Sequence, residues 1–286
     1  MKRIRHIALC LDLTEMDNLL LSYVKRLDDY FKFDSLTLLH LIEIEELPSE
    51  INSLVPELGK SIEEVIQNEL SEKAETYFGK DNENIKFHIH RGGDVEAFAS
   101  YMDKEDFGLV ILGKKSAYLG SGILSGKIVR LINCNTLFVP EITYPNFENV
   151  VIALDFSPYS DKVINIGLNL KNIINSSLHP VHVIKSGVQY FPYIKNFNKY
   201  AQELENEAKK QYKRFQKKHD LSEEITLLKD SDLHISKLIY NYAVRESANL
   251  IIAGNKGKKD EGDLLIGSIA EQLIAHDKNL PVLIVK

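Results

Sequence analysis

The chain has 286 residues, 44% hydrophobic and 27% charged, with 15 glycines and 8 prolines. That balance excludes disordered, collagen-like and disulfide-stapled chains, and at roughly 150 residues per domain it favours two domains over one. A net charge of -6 argues against a whole-domain nucleic-acid footprint, and two cysteines, Cys10 and Cys134, suit a reducing compartment.

The first apolar run follows Met1–His6 and stops at Asp12. It is too short and too soon charged for a signal peptide, and no later run approaches ~18 apolar residues. The expectation is a cytoplasmic protein with no membrane and no nucleic-acid partner. Along the first half, strands are predicted at Ile4–Leu11, Ser35–Ile42, Ile85–His90, Leu109–Leu112 and Thr136–Val139. Helical patterns lie between them at Asn18–Tyr30, Lys60–Phe78, Val95–Lys104 and Leu124–Ile132. Runs such as Leu109-Val110-Ile111-Leu112 are continuously apolar, as a parallel strand covered on both faces requires.

The second half repeats the first. Ile7–Asp12 has its counterpart in Val150–Asp155, 143 residues later. Leu38–Ile42 matches Pro180–Ile184, with His40 and His182 equivalent, and Leu109–Gly113 matches Leu250–Gly254. Pro140, Pro145 and Asn146 mark the seam. The chain therefore reads as two tandem domains, 1–143 and 144–286. Each is a doubly wound α/β domain with a five-stranded parallel sheet flanked by helices.

In such sheets ligands bind beyond the carboxyl ends of the strands, where strand order reverses. In the second half those positions are Asp155 and the run from Gly254 to Ser268. Gly254 would turn the chain out of its strand, and Gly257 would let a ligand approach the backbone. Gly267-Ser268 would open a helix whose unpaired N–H groups favour an anion. Lys256, Lys258 or Lys259 would add charge, and an ionised Asp155 suits a ribose hydroxyl or an exocyclic amine. The bland alternative makes the glycines a surface turn and Ser268 an N-cap.

Gly254 and Gly257, then nine residues, then Gly267-Ser268, together with Asp155, resemble the motif of the universal stress protein family in its tandem form. The resemblance implies a flavodoxin-like (Rossmann-like) nucleotide-binding fold holding ATP, with ADP or AMP as alternatives and magnesium undecided. Asp155 and the Val183 backbone would contact base and ribose. Gly254 and Gly257 would lie along ribose and phosphates, and Gly267, Ser268 and Ile269 would hold the phosphate tail. Asn255-Lys256 departs from the Ser/Thr and His/Arg of many members. The first half departs further. Ser116 replaces the second glycine, and the Gly-Ser pair aligns with Gly126-Lys127 or, counting from the last strand, with Gly122-Ile123. The first domain is expected to be a degenerate site.

No catalytic residue is identified, and no metal site is expected. His88 and His90 share a strand face that reads as a solvated edge, and His40 and His182 read as packed, hydrogen-bonded histidines. Cys10 reads as a small buried hydrophobe and Ser157 as a helix cap. Tyr190-Phe191-Pro192-Tyr193 could form a lid or an interface. The expected partners are a nucleotide, the other domain through Thr136–Val139 and Val282–Val285, and a second chain in a homodimer. The leading function is a non-enzymatic, ATP-binding stress protein; the alternatives are a scaffold without nucleotide or a slow ATPase.

Overall fold

The computed structural model describes residues 5–42, 59–80, 82–92, 94–115, 121–185, 196–229, 233–257, 266–276 and 279–286. The chain divides into two compact units, Met1–Pro145 and Asn146–Lys286. Tyr190–Tyr193 and Lys258–Leu265 lie outside the described residues.

The first unit runs β1 (His6–Cys10), α1 (Met16–Phe31), β2 (Ser35–Ile42), α2 (Ile62–Phe78) and β3 (Ile85–Arg91). It continues through α3 (Val95–Lys104), β4 (Leu109–Lys114), α4 (Ser121–Leu131) and β5 (Asn135–Pro140). All its strand pairs are parallel, in the order β3-β2-β1-β4-β5. The continuous apolar runs are explained by burial on both faces: Ile7, Ala8, Leu9, Val110 and Ile111 are wholly buried. At ~1.5–3 kcal/mol per large apolar side chain, this central pair anchors the unit.

Helix starts follow local chemistry. Ser61 and Glu64 close a reciprocal capping box at α2, with Glu64 N–H to Ser61 Oγ at 3.2 Å and Ser61 N–H to Glu64 Oε2 at 2.8 Å. Asp94 Oδ1 accepts from the N–H groups of Glu96 and Ala97 at α3. Helix α4 begins at Ser121, so Gly126 sits inside it. The fold thus uses the register counted from the last strand.

The second unit repeats this plan. It runs β6 (Asn149–Ala153), α5 (Pro158–Ile174), β7 (Ser177–Ile184), α6 (Phe197–His219) and β8 (Thr226–Lys229). Then follow α7 (Ile235–Arg245), β9 (Leu250–Gly254), α8 (Ser268–His276) and β10 (Val282–Val285). The parallel order is β8-β7-β6-β9-β10. Right-handed crossovers place successive helices against the sheet, giving two doubly wound α/β units. In each, the order reverses between the first and fourth strands, so each has a crevice position at the carboxyl ends of that pair. No helix among the described residues is long and apolar enough to cross a membrane.

Candidate functional site

Register fixes which residues share the crevice end of the second unit. Ile152 pairs with Ile252, so Gly254 lies level with Leu154. Ala153 pairs with Val181, so Val183, buried in β7, lies level with Asp155. Asp155, Val183 and Gly254 therefore meet at one end of three adjacent strands.

The turn after β6 is built around Asp155. Its Oδ1 accepts the Ser157 N–H at 2.9 Å and the Ser160 hydroxyl at 2.9 Å, while Ser160 Oγ accepts the Asp155 N–H at 3.1 Å. These bonds fix the carboxylate's orientation. Ser157 occupies the N-cap position of α5, but its hydroxyl makes no cap bond. Ser157 is thus the N-cap by position, as expected, but not through its side chain; Asp155 binds its N–H instead. Ser160, which sequence reasoning missed, is buried, and only its spacing five residues beyond Asp155 hinted at it.

Phe156 follows with φ +59°, a conformation that costs a non-glycine residue on the order of 1–3 kcal/mol. Its ring is held by packing on His182, at 4.7 Å between centroids, and on Tyr212 and Phe215 at 6.4 and 6.1 Å. His182 is the packed histidine expected: its Nδ1 lies 2.7 Å from the Leu154 carbonyl oxygen. A carbonyl can only accept, so Nδ1 carries the proton.

Gly254 is still within β9, level with Val285 of β10, and does not adopt the left-handed conformation. Its role as a sharp turn is corrected to close packing, since a Cβ there would fall 2.9 Å from Tyr159 Cβ. Beyond it the chain is tethered twice. Asn255 N–H donates to the Val285 carbonyl and Gly267 N–H to the Asn255 carbonyl, both at 2.7 Å. Lys256 and Gly257 are half-buried. Gly267 is buried, its carbonyl accepts the Glu271 N–H at 3.0 Å, and exposed Ser268 with half-buried Ile269 begins α8. The start of α8 is thereby pinned beside the end of β9. All eight predicted residues, Asp155, Val183, Gly254, Lys256, Gly257, Gly267, Ser268 and Ile269, fall on the segments that surround this end of the sheet. Chemically it combines an oriented carboxylate with a helix start that attracts anions.

The corresponding end of the first unit has the same backbone and different chemistry. Leu13 has φ +62°, and His40 Nδ1 bonds the Leu11 carbonyl at 2.9 Å. A Cβ on Gly113 would meet Met16 Sδ at 3.0 Å. Asp12, however, forms an ion pair with Lys115 and accepts the Thr14 hydroxyl at 2.6 Å. Partial burial pushes the Asp12 carboxyl up, but Lys115 and Thr14 together outweigh it and hold the group below its ordinary value. Where the second unit has Ser160, the first has Asp17. It is wholly buried, accepts the Asp12 N–H at 3.1 Å and pairs with Lys73 at 2.9 Å.

The remaining candidates are packed side chains. His88 is not part of a solvated edge: its ring stacks on Tyr101 at 3.6 Å and its Nε2 is buried. Burial, followed by the neighbouring His90, lowers its proton affinity. Burial, with a smaller effect from Cys134, pushes the Cys10 thiol far above its ordinary value, which suits an inert residue. Among the described residues no group of three or more His, Cys, Asp or Glu could hold a metal.

Comparison with known proteins adds to this geometry. A structure from Archaeoglobus fulgidus, described as a universal stress protein, is 18% identical with a TM-score of 0.65, covering 99% of this chain and 97% of that one. A protein of unknown function from Pseudomonas aeruginosa PAO1 is 15% identical with the same score, covering 99% of this chain and 92% of that one. At these identities the likeness establishes the fold of both halves. No curated protein matches the chain. The model of the Universal stress protein family matches residues 146–286, the unit whose crevice carries the complete Gly254, Gly257, Gly267-Ser268 spacing. The second unit, residues 146–286, is thereby a domain of the universal stress protein family.

Proposed function

We propose that the second unit holds a nucleotide, ATP before ADP or AMP, and that the chain acts in a cytoplasmic stress response through nucleotide occupancy rather than catalysis. The observation that carries this reading is the bond from Gly267 N–H to the Asn255 carbonyl. It sets the anion-favouring start of α8 beside the end of β9, on the segments that flank Asp155. Base and ribose would lie toward Asp155 and Val183, and phosphates toward Lys256, Gly257, Gly267, Ser268 and Ile269. The first unit would not share this role, because Lys115 neutralises Asp12 internally.

Calorimetric titration of the full chain with ATP tests the proposal. Saturable binding is expected, abolished by Gly257→Val, weakened at least about tenfold by Asp155→Ala, and unchanged by Asp12→Ala; a factor of ten is ~1.4 kcal/mol, within reach of one hydrogen bond to a charged group. Absence of heat with ATP, ADP and AMP at millimolar concentration would overturn it.

A further inference from the structure

An open groove of about 490 Å³ lies between the start of α5 and the second half of α6, on side chains that the crevice does not use. Phe156, Pro158 and Phe215 give it an apolar floor, and Arg214 stands at its edge. Ser157 also lines it. That residue is 5% exposed, and its Oγ has no hydrogen-bond partner among the described residues. Leaving a buried hydroxyl unpaired is unfavourable, so the groove holds a polar group whose hydrogen bond is still to be made.

Arg214 also lines a second groove of about 500 Å³, with Lys210, Lys213 and Lys217. The two grooves thus meet at its side chain. Three other cations of α6 are matched: Lys209 with Glu205, and Lys218 and His219 with Asp161. Lys210, Lys213, Arg214 and Lys217 are exposed and have no carboxylate within ion-pair distance among the described residues. One continuous surface therefore joins an apolar floor and an unmade hydrogen bond to four uncompensated cations.

We infer that this surface docks an acidic segment of a partner protein that carries an apolar side chain. The apolar group would cover Phe156, Pro158 and Phe215, and carboxylates would meet Arg214 and the lysines, as charge-assisted bonds. Ser157 Oγ would bond the segment's backbone. A nucleic acid fits less well: Asp161 and Glu207 also line the groove and would oppose a backbone charged at every step. A peptide can place its carboxylates on the cationic side alone.

Fluorescence anisotropy on the full chain tests the assignment, with a short fluorescein-labelled peptide alternating glutamate with phenylalanine and leucine. Saturable binding is expected, and an all-glutamate peptide of equal charge should bind at least about tenfold more weakly. Arg214→Glu should weaken binding about tenfold or more, and Ser157→Ala about threefold with the unfolding midpoint unchanged. Lys86→Glu, the same charge change on the exposed edge of β3, should leave affinity unaltered. Equal binding of the two peptides would overturn the proposal, as would equal effects of Arg214→Glu and Lys86→Glu. Tighter binding of a short RNA than of the mixed peptide would overturn it in favour of a nucleic-acid surface.

Discussion

The ends of β1 and β4 and the ends of β6 and β9 are one construction made twice. Leu13 and Phe156 share a left-handed backbone, and His40 and His182 bond carbonyls at matching positions. Gly113 and Gly254 each lie against the start of the helix that follows the first strand of their unit. Features shared by both units belong to the turn itself, because they persist whatever chemistry surrounds them. What differs is how the aspartate is satisfied. Asp155 is oriented by a neutral hydroxyl, whereas Asp12 is flanked by a buried carboxylate and paired with Lys115. The backbone of such a crevice can thus be retained while its electrostatics are turned inward.

Breaking the polar anchors should separate the units most. Asp17→Ala removes one of the two carboxylates paired with Lys73 and the acceptor of the Asp12 N–H, and should cost the first unit at most about 3 kcal/mol, the lower end for a broken buried pair, because Lys73 keeps Glu69 and some water contact. Ser160→Ala, at the equivalent position, loses neutral hydrogen bonds and should cost the second unit about 1 kcal/mol. Amide hydrogen exchange read separately on β1 and β6 measures both. Equal losses would mean that the buried carboxylate adds nothing over the hydroxyl.

The glycines offer a smaller contrast. In Gly254→Ala the new Cβ meets Tyr159 Cβ, an atom fixed to the helix backbone, and should cost about 1–3 kcal/mol. In Gly113→Ala it meets Met16 Sδ and Cε and Leu20 Cδ1, the ends of adaptable side chains, and should cost less than about 1 kcal/mol. The same exchange measurement on β4 and β9 checks the order of the two.

Much of this architecture is legible in the sequence, and the reason is periodicity. Ser35–Ile42 and Val95–Lys104 have the bounds their patterns predict, a short leucine-rich run in one case and helical spacing in the other. The segment around Gly254 could be placed because a glycine spacing and a strand repeat both pointed there. What could not be read was anything that depends on two distant side chains reaching one another. Lys115 meets Asp12 across 103 residues and Lys73 meets Asp17 across 56. Neither pairing leaves a trace in local pattern. The same holds for Gly254, whose neighbour Tyr159 comes from another element, so a residue read as a turn proved to be a packing position.

The pairing of Asp12 with Lys115 gives the smallest effect and the clearest sign. With its carboxyl held below the ordinary value of ~3.9, Asp12 contributes stability that is present above that value and lost as pH falls through the depressed one. In Lys115→Met burial still pushes the carboxyl up while one opposing partner is gone, so its titration should move upward, read by carbon NMR of the side-chain carboxyl. The loss of stability at neutral pH should stay below about 1 kcal/mol, because both partners keep contact with water. The difference between the wild type and the variant should vanish once acid has protonated Asp12 in both. An unmoved titration would show that Lys115 does not neutralise Asp12 in solution, and the contrast between the two aspartates would then lose its ion pair.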